Sequence, residues 1–168
     1  LAIEDLLTMT ASMDWTETGN YNSTNDTYTQ MWKSDNQIQF ILDRAIIKPP
    51  GTSFYYNTGA SHLLSGILTS ATKKSAFEYG KDKLFKPLGI NKLFWSADNQ
   101  GISSGGSRLF IAPIDLVKFG MLYLNQGRFQ DEQLIQSDWI KISTSKLIDT
   151  PHGIAGKWGY GYQWWMNP

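Results

Sequence analysis

The sequence predicts a mainly α fold with short strands, on three features. Apolar residues recur at helical spacing in separate runs, around residues 38–45, 63–71 and 116–124. Start and stop signals flank them: Ser75 with Glu78 makes a capping box, Pro113 suits a first turn and Gly127 a helix end. Strand-like patterning is confined to short stretches, chiefly Phe94-Trp95 and the end from Tyr160 to Met166.

The elements follow in order. Ile3, Leu6 and Leu7 predict a short helix over about residues 2–9. The polar stretch from Ser12 to Asn25, broken by Gly19, reads as loop. Asp35 is placed to cap a helix whose face is Ile38, Ile41, Leu42 and Ala45, stopped by Pro49-Pro50-Gly51. Residues 52–59 are non-helical, and Leu63, Leu64, Ile67, Leu68 and Ala71 form the face of the next helix. A helix from Ser75 closes at Pro87 and Gly89. Gly101 to Gly106 is a Gly/Ser loop. The helix from Pro113 presents Leu116, Val117, Met121 and Leu124, with Asp115 and Lys118 on its solvent side. Phe129 to Leu134 reads as a hairpin, Ser137 as the cap of a last helix through Ile142, and residues 143–158 as loop. Tyr160, Tyr162, Trp164 and Met166 alternate as one apolar-faced strand. A lone terminal strand cannot cover that face or pair its edges, so the sequence reads as part of a longer chain.

Composition narrows the function classes. The 168 residues carry 15 basic and 15 acidic side chains, a formal charge of zero, which argues against a nucleic-acid binder held by a basic face. Hydrophobic residues make up 41%, enough for a packed core. Seven Trp and a charged fraction of only 18% point to aromatic surface patches of the kind that bind a ligand or partner. Cysteine is absent, which excludes a thiol nucleophile and thiolate metal sites, and two His make a multi-histidine zinc centre a poor expectation. No apolar run approaches the ~20 residues of a membrane span.

The remaining chemistry is hydroxyl chemistry, in which Lys or Tyr can stand in for His as the base beside a Ser nucleophile. Ser-x-x-Lys would put both groups on one face of a helical turn. Ser70-Ala-Thr-Lys73 and Ser143-Thr-Ser-Lys146 match, but one reads as a solvated helix end and the other as loop.

Pro50-Gly51-Thr52-Ser53-Phe54-Tyr55-Tyr56-Asn57-Thr58-Gly59, followed by Leu63-Leu64, is far more specific. It resembles the second active-site motif of the serine beta-lactamase and penicillin-binding protein superfamily, in its class C-like branch. That branch holds D-alanyl-D-alanine carboxypeptidases, esterases and 6-aminohexanoate-dimer hydrolases. Three more stretches resemble family landmarks in the same order: Leu6-Leu7-Thr8-Met9-Thr10-Ala11-Ser12; Gly105-Gly106-Ser107-Arg108-Leu109 with Asp115 to Gly120; and Trp158-Gly159-Tyr160-Gly161-Tyr162-Gln163-Trp164-Trp165.

The resemblance implies the helical half of the α/β beta-lactamase/transpeptidase-like fold over residues 1–168. The family's Ser-x-x-Lys motif would lie upstream of Leu1. Its Lys/His-x-Gly strand would lie downstream, since Lys157-Trp158-Gly159 sits too early and His152-Gly153 does not fit the spacing. It implies acyl transfer from an amide, ester or peptide substrate through an acyl-enzyme, with no metal or organic cofactor, and favours a periplasmic or extracellular setting.

Tyr56 takes the catalytic Tyr position, or Tyr55 if the loop shifts by one, and Thr58 the substrate-contacting third position usually held by Asn. A hydroxyl lacks the reach and the donor pair of an amide, which moves weight from beta-lactams toward esters and other amides. Gly105 and Gly106 are expected at the substrate rim, or in a turn needing positive φ. Lowering a phenol from about 10 to about 7 takes roughly 4 kcal/mol of stabilisation from nearby cations. The family's cations lie in the two motifs outside this chain, so the chain alone is expected to be inert. A non-catalytic glycan- or peptide-binding domain is the rival reading.

Overall fold

The computed structural model describes residues 1–18, 24–152 and 158–167, and Gly19, Gly153 and Lys157 lie outside them. Helices α1 (Ile3–Leu7), α2 (Thr27–Lys33) and α3 (Gln37–Leu42) pack around α4 (Thr58–Thr72). Helix α5 (Ala76–Gly80) continues into a π-helical turn, Lys81–Phe85. Strands β1 (Leu93–Trp95) and β2 (Leu109–Ile111) form an antiparallel pair ahead of α6 (Pro113–Leu124). A small hairpin, β3 (Arg128–Phe129) with β4 (Glu132–Gln133), leads to α7 (Ser137–Ser143). The last sheet has the order β5 (Ile148–Asp149), β6 (Gly159–Tyr160), β7 (Trp165–Met166).

Two apolar cores organise these pieces. The larger joins Leu6, Met9, Met13, Trp15, Met31, Ile41, Ala60, Leu63 and Tyr160; the smaller joins Phe85, Leu88, Ile90 and Leu122. Helix α4 is the central post. Its first turns are buried through Leu63, while Ile67 and Ala71, expected on its inner face, are exposed. Asn57 caps it by accepting the Ala60 N–H at 3.1 Å, so the helix begins at Thr58, inside the segment expected to be non-helical. The Ser75–Glu78 capping box forms as expected, with the Ser75 oxygen accepting the Glu78 N–H and the Glu78 carboxylate accepting the Ser75 N–H.

Other local expectations shift. Helix α2 is absent from the sequence reading. Asp26 caps it, its carboxylate accepting both N–H and hydroxyl of Thr29. Asn36, not Asp35, caps α3, which ends before Ala45 and leaves Leu42 exposed. Ser137 is the first helical residue of α7 and caps nothing.

Two shifts reflect tertiary packing. On α6 the stripe Ile114, Val117, Met121 and Leu124 faces outward, 68, 55, 47 and 82% exposed. The buried side carries Leu122 and Asp115, with the Asp115 carboxylate accepting Lys118 Nζ at 2.7 Å while that ammonium also donates to the Gly89 carbonyl at 3.0 Å. The alternating Tyr160–Met166 run is not one strand. It turns back on itself, pairing Tyr160 with Trp165 and Gly159 with Met166. Gln163 sits at the turn with φ of +63°; its amide nitrogen donates to the carbonyls of Leu6 and Leu7, and its oxygen accepts the Ser61 hydroxyl. That side chain ties the hairpin to α1 and α4, which a straight strand would not allow.

Candidate active site

The Pro-Gly-Thr segment runs beside the chain that leaves α1. Gly51 N–H donates to the Thr10 carbonyl at 3.0 Å and Tyr55 N–H to the Met9 carbonyl at 2.8 Å. Held on one side by these bonds and on the other by the start of α4, Phe54, Tyr55 and Tyr56 face a cavity of about 780 Å³. Its walls are Glu17, Phe54, Tyr55, Tyr56, Pro151, His152, Trp158 and Trp165. Tyr56 is 38% exposed and opens on this cleft, not into the core.

Trp165, carried by β7, is the centre of the aromatic wall. Its ring stacks on Tyr56 and meets Phe54, His152, Trp158 and Tyr160 edge-on. Tyr160 lies behind this layer, 2% exposed. Burial above all, and then the neighbouring Tyr56, pushes its phenol well above the ordinary tyrosine range, so it stays protonated. Among the described residues, Tyr56 and Tyr55 are thus the tyrosines whose rings reach the cleft.

Thr58 is placed differently from its expected role at the surface of the site. It is 5% exposed, and both its polar donors go to one carboxylate: the hydroxyl to Glu17 Oε1 at 2.5 Å and the N–H to Glu17 Oε2 at 2.9 Å. The Trp15 indole N–H also donates to Glu17 Oε2, at 3.0 Å. Glu17 therefore sits on the first turn of α4, where the helix dipole favours a negative charge, and it is Glu17 that lines the cavity.

Gly105 and Gly106 stand one layer further back. Neither has positive φ. A Cβ on Gly105 would collide with the Ser61 carbonyl, and one on Gly106 with the Thr58 methyl, so both glycines serve the close approach of this loop to α4. The Gly105 N–H donates to His62 Nδ1 at 3.3 Å, and His62 Nε2 donates to Asp98 Oδ2 at 3.0 Å in a buried pair.

The Ser-x-x-Lys matches are elsewhere. Ser70 is exposed beside a groove formed with α1 and α3, and Lys73 is the left-handed cap of α4. Ser143 is buried and donates to the Ile140 carbonyl, while Lys146 pairs with Asp149. No serine lines the Tyr56 cavity among the described residues. Among the other aromatics, Trp158 lines the cavity. Trp95 instead donates its indole N–H to the Ser104 carbonyl, and Phe94 lies exposed on β1. Glu17, Phe54, His152 and Trp165 were missed by sequence reasoning. Glu17 falls in an aperiodic polar loop, and Trp165 reads as one ring of a strand.

Among the described residues no group of three or more His, Asp or Glu is placed to hold a metal ion, and no helix is long and apolar enough to cross a membrane.

The family model described as Beta-lactamase matches residues 1–168, and the chain belongs to that family. No curated protein matches it. Among solved structures it is similar to a protein assigned as a 6-aminohexanoate-dimer hydrolase from Bacillus anthracis, with a TM-score of 0.80 and 23% identity over 96% of this chain and 46% of that one. It is also similar to the octameric penicillin-binding protein homologue from Pyrococcus abyssi, TM-score 0.76 and 22% identity over 100% and 44%. A third is a penicillin-binding protein from Bacillus halodurans, TM-score 0.71 and 16% identity over 98% and 57%. The chain spans about half the length of these structures, and at such identity the likeness establishes the fold.

Proposed function

We propose that residues 1–168 are the helical half of a serine acyl hydrolase acting on amide or ester bonds, with Tyr56 in its acid/base machinery. One observation carries this reading: the Tyr56 ring opens on the aromatic-walled cavity at the N-terminus of α4. In the reaction, a Ser hydroxyl from the remainder of the fold adds to the substrate carbonyl and the leaving group departs with a proton. Water then releases the acyl group from that Ser. Tyr56 would carry the proton between the Ser oxygen and the leaving group, together with the Lys that follows the Ser in the family motif. Thr58 acts by holding Glu17 at the cleft, and the Gly105-Gly106 loop acts by buttressing Thr58 and α4 from behind. The substrate is a small amide, ester or peptide.

In the intact protein, a fluorophosphonate or a fluorescent penicillin is expected to label one serine. Tyr56→Phe is expected to lower turnover by about 100-fold or more with the fold retained. Unchanged turnover in Tyr56→Phe removes Tyr56 from the mechanism. Absence of labelling favours the second reading, a non-catalytic peptide- or glycan-binding cleft, for which the layer of rings around Trp165 is the supporting observation. The 168-residue chain alone is expected to hydrolyse neither a chromogenic cephalosporin nor a p-nitrophenyl ester.

A further inference from the structure

Glu17 is an unusual wall for an aromatic cavity. Among the described residues its hydrogen-bond donors are the Trp15 indole, the Thr58 amide and the Thr58 hydroxyl, all uncharged. Among the described residues no Lys or Arg lines the cavity and none forms an ion pair with Glu17. These donors fix the position of a carboxylate that lines the cavity, one on Oε1 and two on Oε2, fewer than its two oxygens can accept. Around it stand the rings of Phe54, Tyr55, Tyr56, Trp158 and Trp165.

This combination has one preferred guest. Aromatic faces attract cations through their quadrupole, most strongly for Trp, and a fixed carboxylate adds direct attraction. The same carboxylate repels a ligand carboxylate. We propose that Glu17 selects a substrate bearing an ammonium group, seated between this carboxylate and the Tyr56 and Trp165 rings. The proposal rests on the hydrolase reading for what is cleaved; the charge preference itself rests on Glu17 and the rings. Thr58 and Trp15 are then positioning residues for Glu17.

The test is a ligand series on the intact protein, followed by quenching of tryptophan fluorescence, because Trp158 and Trp165 wall the cavity. Hexylammonium is expected to bind about tenfold more tightly than 1-hexanol or hexanoate. Glu17→Gln keeps a carbonyl to accept the Thr58 hydroxyl and removes the charge, and it is expected to level the three affinities. In the unaltered protein, raising salt from about 20 mM to about 300 mM should weaken hexylammonium but not hexanol, an outcome independent of whether the variant folds. Equal binding of the three ligands, or an ammonium preference that survives in folded Glu17→Gln or ignores salt, overturns the proposal. Fluorophosphonate labelling of the unaltered protein reads the hydrolase separately from the ligand series. Labelling without ammonium preference leaves the hydrolase and removes the selectivity, and the converse leaves a cation site and removes the hydrolase.

Discussion

The ring of Tyr56 lies over the indole of Trp165, with centroids 5.9 Å apart and planes inclined by 26°. The two residues are joined by no local structure: one leads into α4 and the other sits on β7. Their contact is where the Pro-Gly-Thr segment meets the final hairpin, and it orients the phenol toward the cleft.

Trp165→Ala removes the ring that meets Phe54, Tyr56, His152, Trp158 and Tyr160. Because Trp165 is 41% exposed, the expected loss is about 2 kcal/mol, below that of a fully buried Trp. Urea denaturation should register it as a lower midpoint. Phe94→Ala, on an exposed pair with Phe110, should cost less than about 1 kcal/mol.

Gly105→Ala places a methyl against the Ser61 carbonyl, which belongs to the α4 backbone and cannot swing aside. About 2–3 kcal/mol of stability should be lost. Gly101→Ala is the control: φ is +78° with open space around it, so only the backbone penalty of about 1 kcal/mol applies. Equal melting temperatures for the two variants would show that the loop does not press on the helix.

The His62–Asp98 pair is buried, with side chains 2% and 1% exposed. Asp98 also accepts the N–H groups of Gln100 and Ile102, both at 2.9 Å. Asp98→Ala leaves a buried imidazole and two amides without their partner, at an expected cost of about 3 kcal/mol. Hydrogen exchange should quicken first at residues 100–105, which the pair anchors.

Burial raises the Asp26 carboxyl, but the N–H and hydroxyl groups of Thr29 and Thr18 outweigh it and hold the group below its ordinary 3.8. Since the folded value is depressed, Asp26 contributes stability above the unfolded value, and that contribution is lost as pH falls through the folded one. Urea midpoints should therefore fall on acidification below about 3.8. In Asp26→Asn that portion of the acid-side slope should disappear.

Much of this was legible locally. The capping box at Ser75, Pro113 at a first turn and the hairpin after Phe129 are formed by neighbours within a few residues. The Pro-Gly-Thr motif marked out the segment whose Tyr56 lines the cavity. Helix α2 escaped because it is only seven residues long; its signals were the cap Asp26 and the short apolar stripe Tyr28, Met31 and Trp32, which packs on the larger core.

Sequence order and side-chain type sufficed for the family motif and the existence of most helices, because caps, turns and periodicity act over a single turn of chain. Folding in three dimensions settled the rest. It left Ile114 and Leu124 exposed because no described element covers that face of α6, and it doubled the Tyr160–Met166 run back because Gln163 finds its partners on α1 and α4. It also brought Glu17 onto Thr58, 41 residues away, so that a carboxylate from a featureless loop became part of the cleft. Periodicity reports which side chains share a face; only long-range contacts decide what that face meets.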